Sequence, residues 1–247
     1  MVGYQNKEVE GDSNFNFVVP TFNMVDSKQT MKLKDIKVQY KELDPTLQYI
    51  WTLDLGGATK KHYFYVTEEV AADWGYKPEE YGEVVGWWGD SDCAEDPANE
   101  VEIPYGQGFA FVAKDSSTKL VFSGAVQPKE ATVDIVGDSI FNFSGNCIPA
   151  NYVLGDLALI FNGVDPTLQY IWTLDIGGMT KKHYFYVNEA VAADWGYKPE
   201  EYGEVVGWWG DSDCAEDPAN DIPMNAGQGV AVISKEASQL WIPSPLN

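Results

Sequence analysis

The chain has 247 residues, of which 45% are hydrophobic, enough for a real core and too many for a disordered chain. Its net charge of −22 repels nucleic acid and anionic membranes, since binding either requires cationic side chains to neutralise phosphate. No apolar run approaches the ~20 residues that span a bilayer, so membrane insertion is not expected.

The opening Met1–Glu8 has neither a basic start nor an apolar stretch, so the chain is read as either cytoplasmic or lacking an export leader. Strand-type alternation then covers Phe15–Pro20, Lys32–Val38, Leu47–Leu53 and Lys61–Val66. Thr67-Glu-Glu-Val70 opens the one helical candidate, Thr67–Trp74, with acidic residues in its first turn. Strands resume at Val84–Trp88, Gly108–Ala113 and Lys119–Val126. Turn chemistry separates them at Gly56-Gly57, Lys77-Pro78, Asp96-Pro97 and Pro104-Tyr-Gly106.

The same order recurs in the second half. Asp44–Asn99 and Asp165–Asn220 differ only at Leu55/Ile176, Ala58/Met179, Thr67/Asn188 and Glu69/Ala190. Weaker matches pair Gly11–Phe17 with Gly137–Phe143, Leu33–Ile36 with Leu154–Leu157, and Gly106-Gln-Gly108 with Gly227-Gln-Gly229. The first copy carries five extra residues between Phe17 and Leu33. Domains are expected at 1–126 and 137–247, with 127–136 as a linker leading into the first strand of repeat two. The strands are too close for crossover helices. The expected fold is all-β: two tandem homologous β-sandwich or barrel-like domains, each with at most one short helix.

Groups for catalysis are sparse. His62 and His183 sit at equivalent places in the strand-like run KKHYFYV, where a structural or surface role fits best. No nucleophile elbow, zinc-protease motif or phosphate-binding loop occurs, and Gly106-Gln-Gly108 leads into a strand rather than a helix. The chain is therefore expected not to be an enzyme.

Three features remain as candidate sites. Asp90, Asp92, Glu95 and Asp96, and their twins Asp211, Asp213, Glu216 and Asp217, cluster carboxylates of the kind calcium prefers, without EF-hand spacing. Calcium is the one candidate cofactor, weighed against two solvated acidic loops. Cys93 and Cys214 are twins, whereas Cys147 aligns with Thr21. A Cys147–Cys214 bridge, freeing Cys93 for another chain, competes with three reduced thiols. Finally, Trp87-Trp88 and Trp208-Trp209 are adjacent pairs on strands, where neighbours point to opposite faces. One of each pair can enter the core while the other faces outward, able to stack on a sugar or dock another subunit; this is weighed against packing of both in the core or between the lobes. Trp51, Trp74, Tyr76 and Tyr81 add to the aromatic supply, and Asn142-Phe-Ser144 fits the short N-glycosylation triplet.

The pieces Phe15-Asn-Phe17 to Pro20, Leu33–Ile36, Gln48–Asp54, Tyr63-Phe-Tyr65, Gly86-Trp87, Pro104–Phe109 and Val121-Phe-Ser-Gly124, in this order, resemble a domain common in secreted bacterial proteins of uncharacterised function. The opening Val2-Gly-Tyr-Gln5 is similar to the mature start of two-repeat secreted proteins from verrucomicrobial and lentisphaeral bacteria. The resemblance implies export to the cell surface or beyond. It brings no activity, cofactor or site residue, and Leu240-Trp-Ile-Pro243 lacks the closing glycine of the pattern.

The first functional expectation is a cell-surface structural or assembly protein, such as a filament, layer or matrix subunit, that self-associates. The alternative is a carbohydrate-binding module or adhesin with two equivalent sites, since duplicated weak sites gain avidity.

Overall fold

The computed structural model describes residues 2–11, 14–23, 30–39, 48–53, 60–89, 97–113, 118–126, 129–137, 140–160, 169–174, 181–210, 218–234 and 237–245. The first half contains β1 (Val2–Glu8), β2 (Asn14–Val18), β3 (Phe22–Asn23), β4 (Met31–Lys32), β5 (Ile36–Gln39), β6 (Gln48–Leu53), β7 (Lys60–Val66), α1 (Glu68–Asp73), α2 (Pro78–Tyr81), β8 (Gly86–Trp88), β9 (Glu102–Ile103), β10 (Phe109–Ala113) and β11 (Lys119–Val126). The second contains β12 (Ala131–Ile135), β13 (Ile140–Gly145), β14 (Tyr152–Val153), β15 (Ala158–Ile160), β16 (Gln169–Leu174), β17 (Lys181–Val187), α3 (Glu189–Trp195), α4 (Pro199–Tyr202), β18 (Gly207–Trp209), β19 (Pro223–Met224), β20 (Gly229–Ser234) and β21 (Ser238–Ile242).

The chain is all-β, and the strand order repeats. A five-stranded sheet runs β2-β10-β6-β7-β8 in the first half and β13-β20-β16-β17-β18 in the second. A smaller sheet is built on β11, flanked by β1 on one side and by β3 and β5 on the other; its counterpart is β12-β21-β15. Ribbons β4-β9 and β14-β19 complete each half. The strand pairings are antiparallel throughout, as short connections between strands allow. Strand β3 pairs with the end of β11 and has no twin among the described residues.

Each half buries one core between its large and small sheets. In the first, Phe109, Phe111, Tyr65 and Trp87 of the large sheet meet Ile36, Leu120 and Phe122 of the small one. In the second, Tyr184, Trp208, Val230 and Val232 meet Leu159, Leu240 and Ile242. The central strands β10 and β20 are buried on both faces, which explains their unbroken apolar sequences.

The reason for that double burial is the other half of the chain. β2 and β10 lie against β13 and β20, with β6 and β16 also in reach. The Gly108 amide donates to the Phe143 carbonyl at 2.8 Å, and Val19 donates to Gly227 at 3.2 Å. Ser144 Oγ donates to the Gly106 carbonyl at 2.9 Å. The backbones come so close that a Cβ on Gly229 would lie 2.6 Å from the Phe17 carbonyl carbon, and one on Gly108 would lie 3.2 Å from the Ser144 oxygen. The two Gly-Gln-Gly segments thus form part of the seam between the halves.

The structure departs from the sequence expectation in two places. Residues 131–135, placed in the linker, form β12, the counterpart of β1; β12 alternates Ala131, Val133 and Ile135 with Thr132 and Asp134, whereas β1 carries no such pattern. Each half carries two short α-helices rather than one at most, because Lys77-Pro78 and Lys198-Pro199 open helices instead of simple turns. Proline at the first helical position costs no hydrogen bond and presets φ.

Candidate functional site

The site grows out of strand β8 and its twin β18. Trp87 and Trp88 do point to opposite faces of the sheet, as adjacent strand residues must. Trp87 enters the sandwich core, where its indole Nε1 donates to the Ile36 carbonyl at 2.9 Å and its ring meets Tyr65 edge-on at 5.3 Å. Trp208 does the same, donating to Leu157 at 2.7 Å. Asn99 fixes this strand: its Oδ1 accepts from the Trp87 amide at 2.8 Å and its Nδ2 donates to Val85 at 3.0 Å. Asn220 repeats both bonds around Trp208.

Of the two readings of these pairs, packing holds and the outward indole on Trp88 or Trp209 fails: all four tryptophans, Trp87, Trp88, Trp208 and Trp209, are 0% exposed. The helical insert between β7 and β8 covers the second face. Trp88 joins Val66, Val70 and Ala71 in a small separate core, with Tyr76 stacked on it at 4.1 Å and 18° and Tyr81 edge-on at 5.2 Å. Trp209 sits under Tyr197 at 4.2 Å and 22° and Tyr202 at 5.2 Å. A tryptophan with no open face cannot stack on a sugar.

The open aromatic surface lies one layer further out. Trp74 ends α1 and is 39% exposed; its twin Trp195 ends α3 and is 37% exposed. Phe64 and Tyr76 each hold Trp74 edge-on with centroids 5.8 Å away. Phe185 and Tyr197 hold Trp195 at the same distances. Each exposed indole is therefore the rim of a packed stack rather than a free side chain.

The helices that carry these rims are fixed by caps. Thr67 Oγ1 accepts from the Val70 amide at 3.3 Å, and Asn188 Oδ1 accepts from Val191 at 2.9 Å. Two of the four exchanges in the near-identical block fall here. Thr67/Asn188 keeps the cap function, whereas Glu69/Ala190 removes a carboxylate from the second copy. The insert that carries each rim is acidic, with Glu68, Glu69, Asp73, Glu79, Glu80 and Glu83 all exposed in the first. Lys77 is the one cation there, and its Nζ lies 3.6 Å from Glu80. Helix periodicity gave no signal for the exposure of Trp74, since a residue one turn after buried Val70 lies on the same face.

The other sequence candidates fare differently. The carboxylates Asp90, Asp92, Glu95, Asp96, Asp211, Asp213, Glu216 and Asp217, and with them the calcium expectation, lie outside the described residues, as do Cys93 and Cys214. Among the described residues no group of three or more potential metal ligands occurs. Cys147 is a buried free thiol, so the bridge to Cys214 weighed from sequence is not formed. Burial pushes this thiol up to about 11, and the Tyr105 hydroxyl donates to its backbone carbonyl at 3.2 Å across the seam. His62 and His183 lie on β7 and β17, paired in register with Trp51 and Trp172. In the glycosylation triplet, the Asn142 amide is already occupied, accepting from and donating to Val136 at 2.9 and 3.0 Å, as Asn16 does to Glu10.

The chain matches no protein-family profile, no curated protein and no solved structure.

Proposed function

We propose that this is a non-enzymatic, extracellular carbohydrate-binding or adhesion module that engages its ligand through two equivalent aromatic platforms, Trp74 and Trp195. The observation that carries this reading is the duplication of one built site. The same indole, flanked by the same two rings at the same 5.8 Å, stands on the surface of both halves. A rigid, part-exposed indole suits the apolar face of a sugar ring and loses little entropy on binding. Two weak sites on one chain add avidity when the ligand repeats. The test is a glycan array probed with the full chain and with the W74A/W195A variant, its fold checked by circular dichroism. Signal from the wild type that disappears in the variant supports the proposal. An empty array, or equal signal from both proteins, refutes it.

A second reading, a self-associating structural subunit, is favoured by one observation. Among the described residues strand β1, seven residues long, pairs only with β11, with Tyr4 63% exposed. A strand edge can template a strand from a neighbour. Light scattering with and without calcium and reductant tests it; concentration-dependent polymers support the reading, and a monomer under every condition removes it.

A further inference from the structure

We infer that the partner of the Trp74 and Trp195 platforms is a cationic saccharide, one bearing protonated amines, rather than a neutral or acidic one. This rests on the carbohydrate reading of the same platforms. Residues 67–85 carry six carboxylates against one lysine, and every one of those acids is exposed. The one lysine is exposed, with its Nζ 3.6 Å from Glu80, so the insert keeps a strong excess of negative charge. Glu69 and Asp73 are one helical turn apart on α1, and Asp73 immediately precedes Trp74. Glu79 and Glu80 come from α2, whose Tyr81 packs with Tyr76 on the same buried Trp88, so both helices present their acids from one rigid unit.

The chemistry follows from this placement. An ammonium beside the indole face gains from the ring quadrupole and from the carboxylates together. A uronate or sulfated sugar meets repulsion from both the insert and the net charge of −22. The two platforms also differ in a defined way. The second has Ala190 where the first has Glu69, so the first attracts cations more strongly.

The experiment is a calorimetric titration of the full chain with two probes of equal length, β-1,4-linked glucosamine hexamer and its N-acetylated counterpart. The free-amine probe is expected to bind about tenfold tighter at ~0.01 M salt, with the gap closing at ~1 M, where charges are screened beyond a few ångströms. The W195A variant, which keeps the Trp74 platform, is expected to show the steeper salt dependence of the two single variants. E68Q/E69Q/D73N is expected to lose the amine preference at that platform while keeping its affinity for the acetylated probe. Equal affinity for the two probes overturns the cation inference and leaves the carbohydrate reading standing, as does failure of both probes alongside a positive glycan array. Amine binding that persists undiminished in W74A/W195A reveals plain charge attraction and overturns the inference and the platform together.

Discussion

Phe17 and Phe143 hold twin positions in the two halves, and their rings touch each other, centroids 5.3 Å apart at 37°. A residue that meets its own twin lies on a local two-fold axis. The contacts around it are reciprocal: Gly108 approaches Phe143, and Gly229 approaches Phe17. Such an interface is closed. It is used up within the chain and offers no copy of itself to a neighbour, so it does not propagate a head-to-tail polymer. It does place the two aromatic platforms in equivalent frames.

The seam is expected to be intolerant of side chains. Gly229→Ala puts a Cβ 2.6 Å from backbone atoms of Phe17 and Val18, which cannot rotate away. The expected cost is about 1–3 kcal/mol, read as a lower melting temperature by calorimetry. A melting temperature equal to wild type would show that the halves are not pressed together here.

Neighbouring tryptophans are expected to separate stability from binding. Trp88→Ala empties a site that is 0% exposed and should cost about 3–5 kcal/mol. Trp74→Ala removes a rim residue already 39% exposed and should cost about 1–2 kcal/mol. Urea titrations of both variants check the order; a Trp74 variant as unstable as the Trp88 variant would contradict the description of Trp74 as a rim.

The Cys147 thiol is expected to be inert in the folded chain. With its value pushed up to about 11 by burial, only about one molecule in a thousand carries the reactive thiolate at pH 8, and the sulfur is shielded as well. Alkylation followed by peptide mapping should leave Cys147 unmodified natively and modify it in denaturant. Native modification at the denatured rate, or a mapped bridge to Cys214, would contradict the structure.

Acid is expected to weaken one surface network of the first half. Hydrogen bonds from Lys32 and Lys34, with their charges, hold the Glu100 carboxyl down from 4.5 to about 2. A folded value below the unfolded one contributes stability above about 4.5 and loses it as pH falls toward 2. Full exposure in solvent keeps the effect small. The pH profile of the melting temperature should therefore fall less steeply for Glu100→Gln than for wild type across that window; parallel profiles would show that the pair contributes nothing.

Much of this fold was legible because apolar alternation and turn residues mark strands that bury one face. The large-sheet strands β2, β6, β7 and β10 fall within two residues of their expected limits for that reason. β1 was not legible, since it is a polar edge strand whose pairing is decided by β11, whereas β12 does carry the signal, Ala131, Val133 and Ile135 alternating with Thr132 and Asp134, within the stretch placed in the linker. The pairwise opposition of Trp87 and Trp88 was also correct. What covers the second face was not legible, because strand periodicity says which way a side chain points and not what lies there. Pro78 with Glu79 and Glu80 carried the missing signal, a proline-first acidic helix start that could have announced a second helix over Trp88. The seam between halves left only glycines as a trace, and a glycine alone does not distinguish a turn from a backbone crossing.

The most direct test of the two-platform account is a count of binding sites. The strongest oligosaccharide from the array would be titrated into wild type, W195A and W74A/W195A by isothermal calorimetry. The account predicts two sites per chain, then one, then none, with all three proteins folded. A single site in the wild type, or unchanged stoichiometry in the variants, would contradict it.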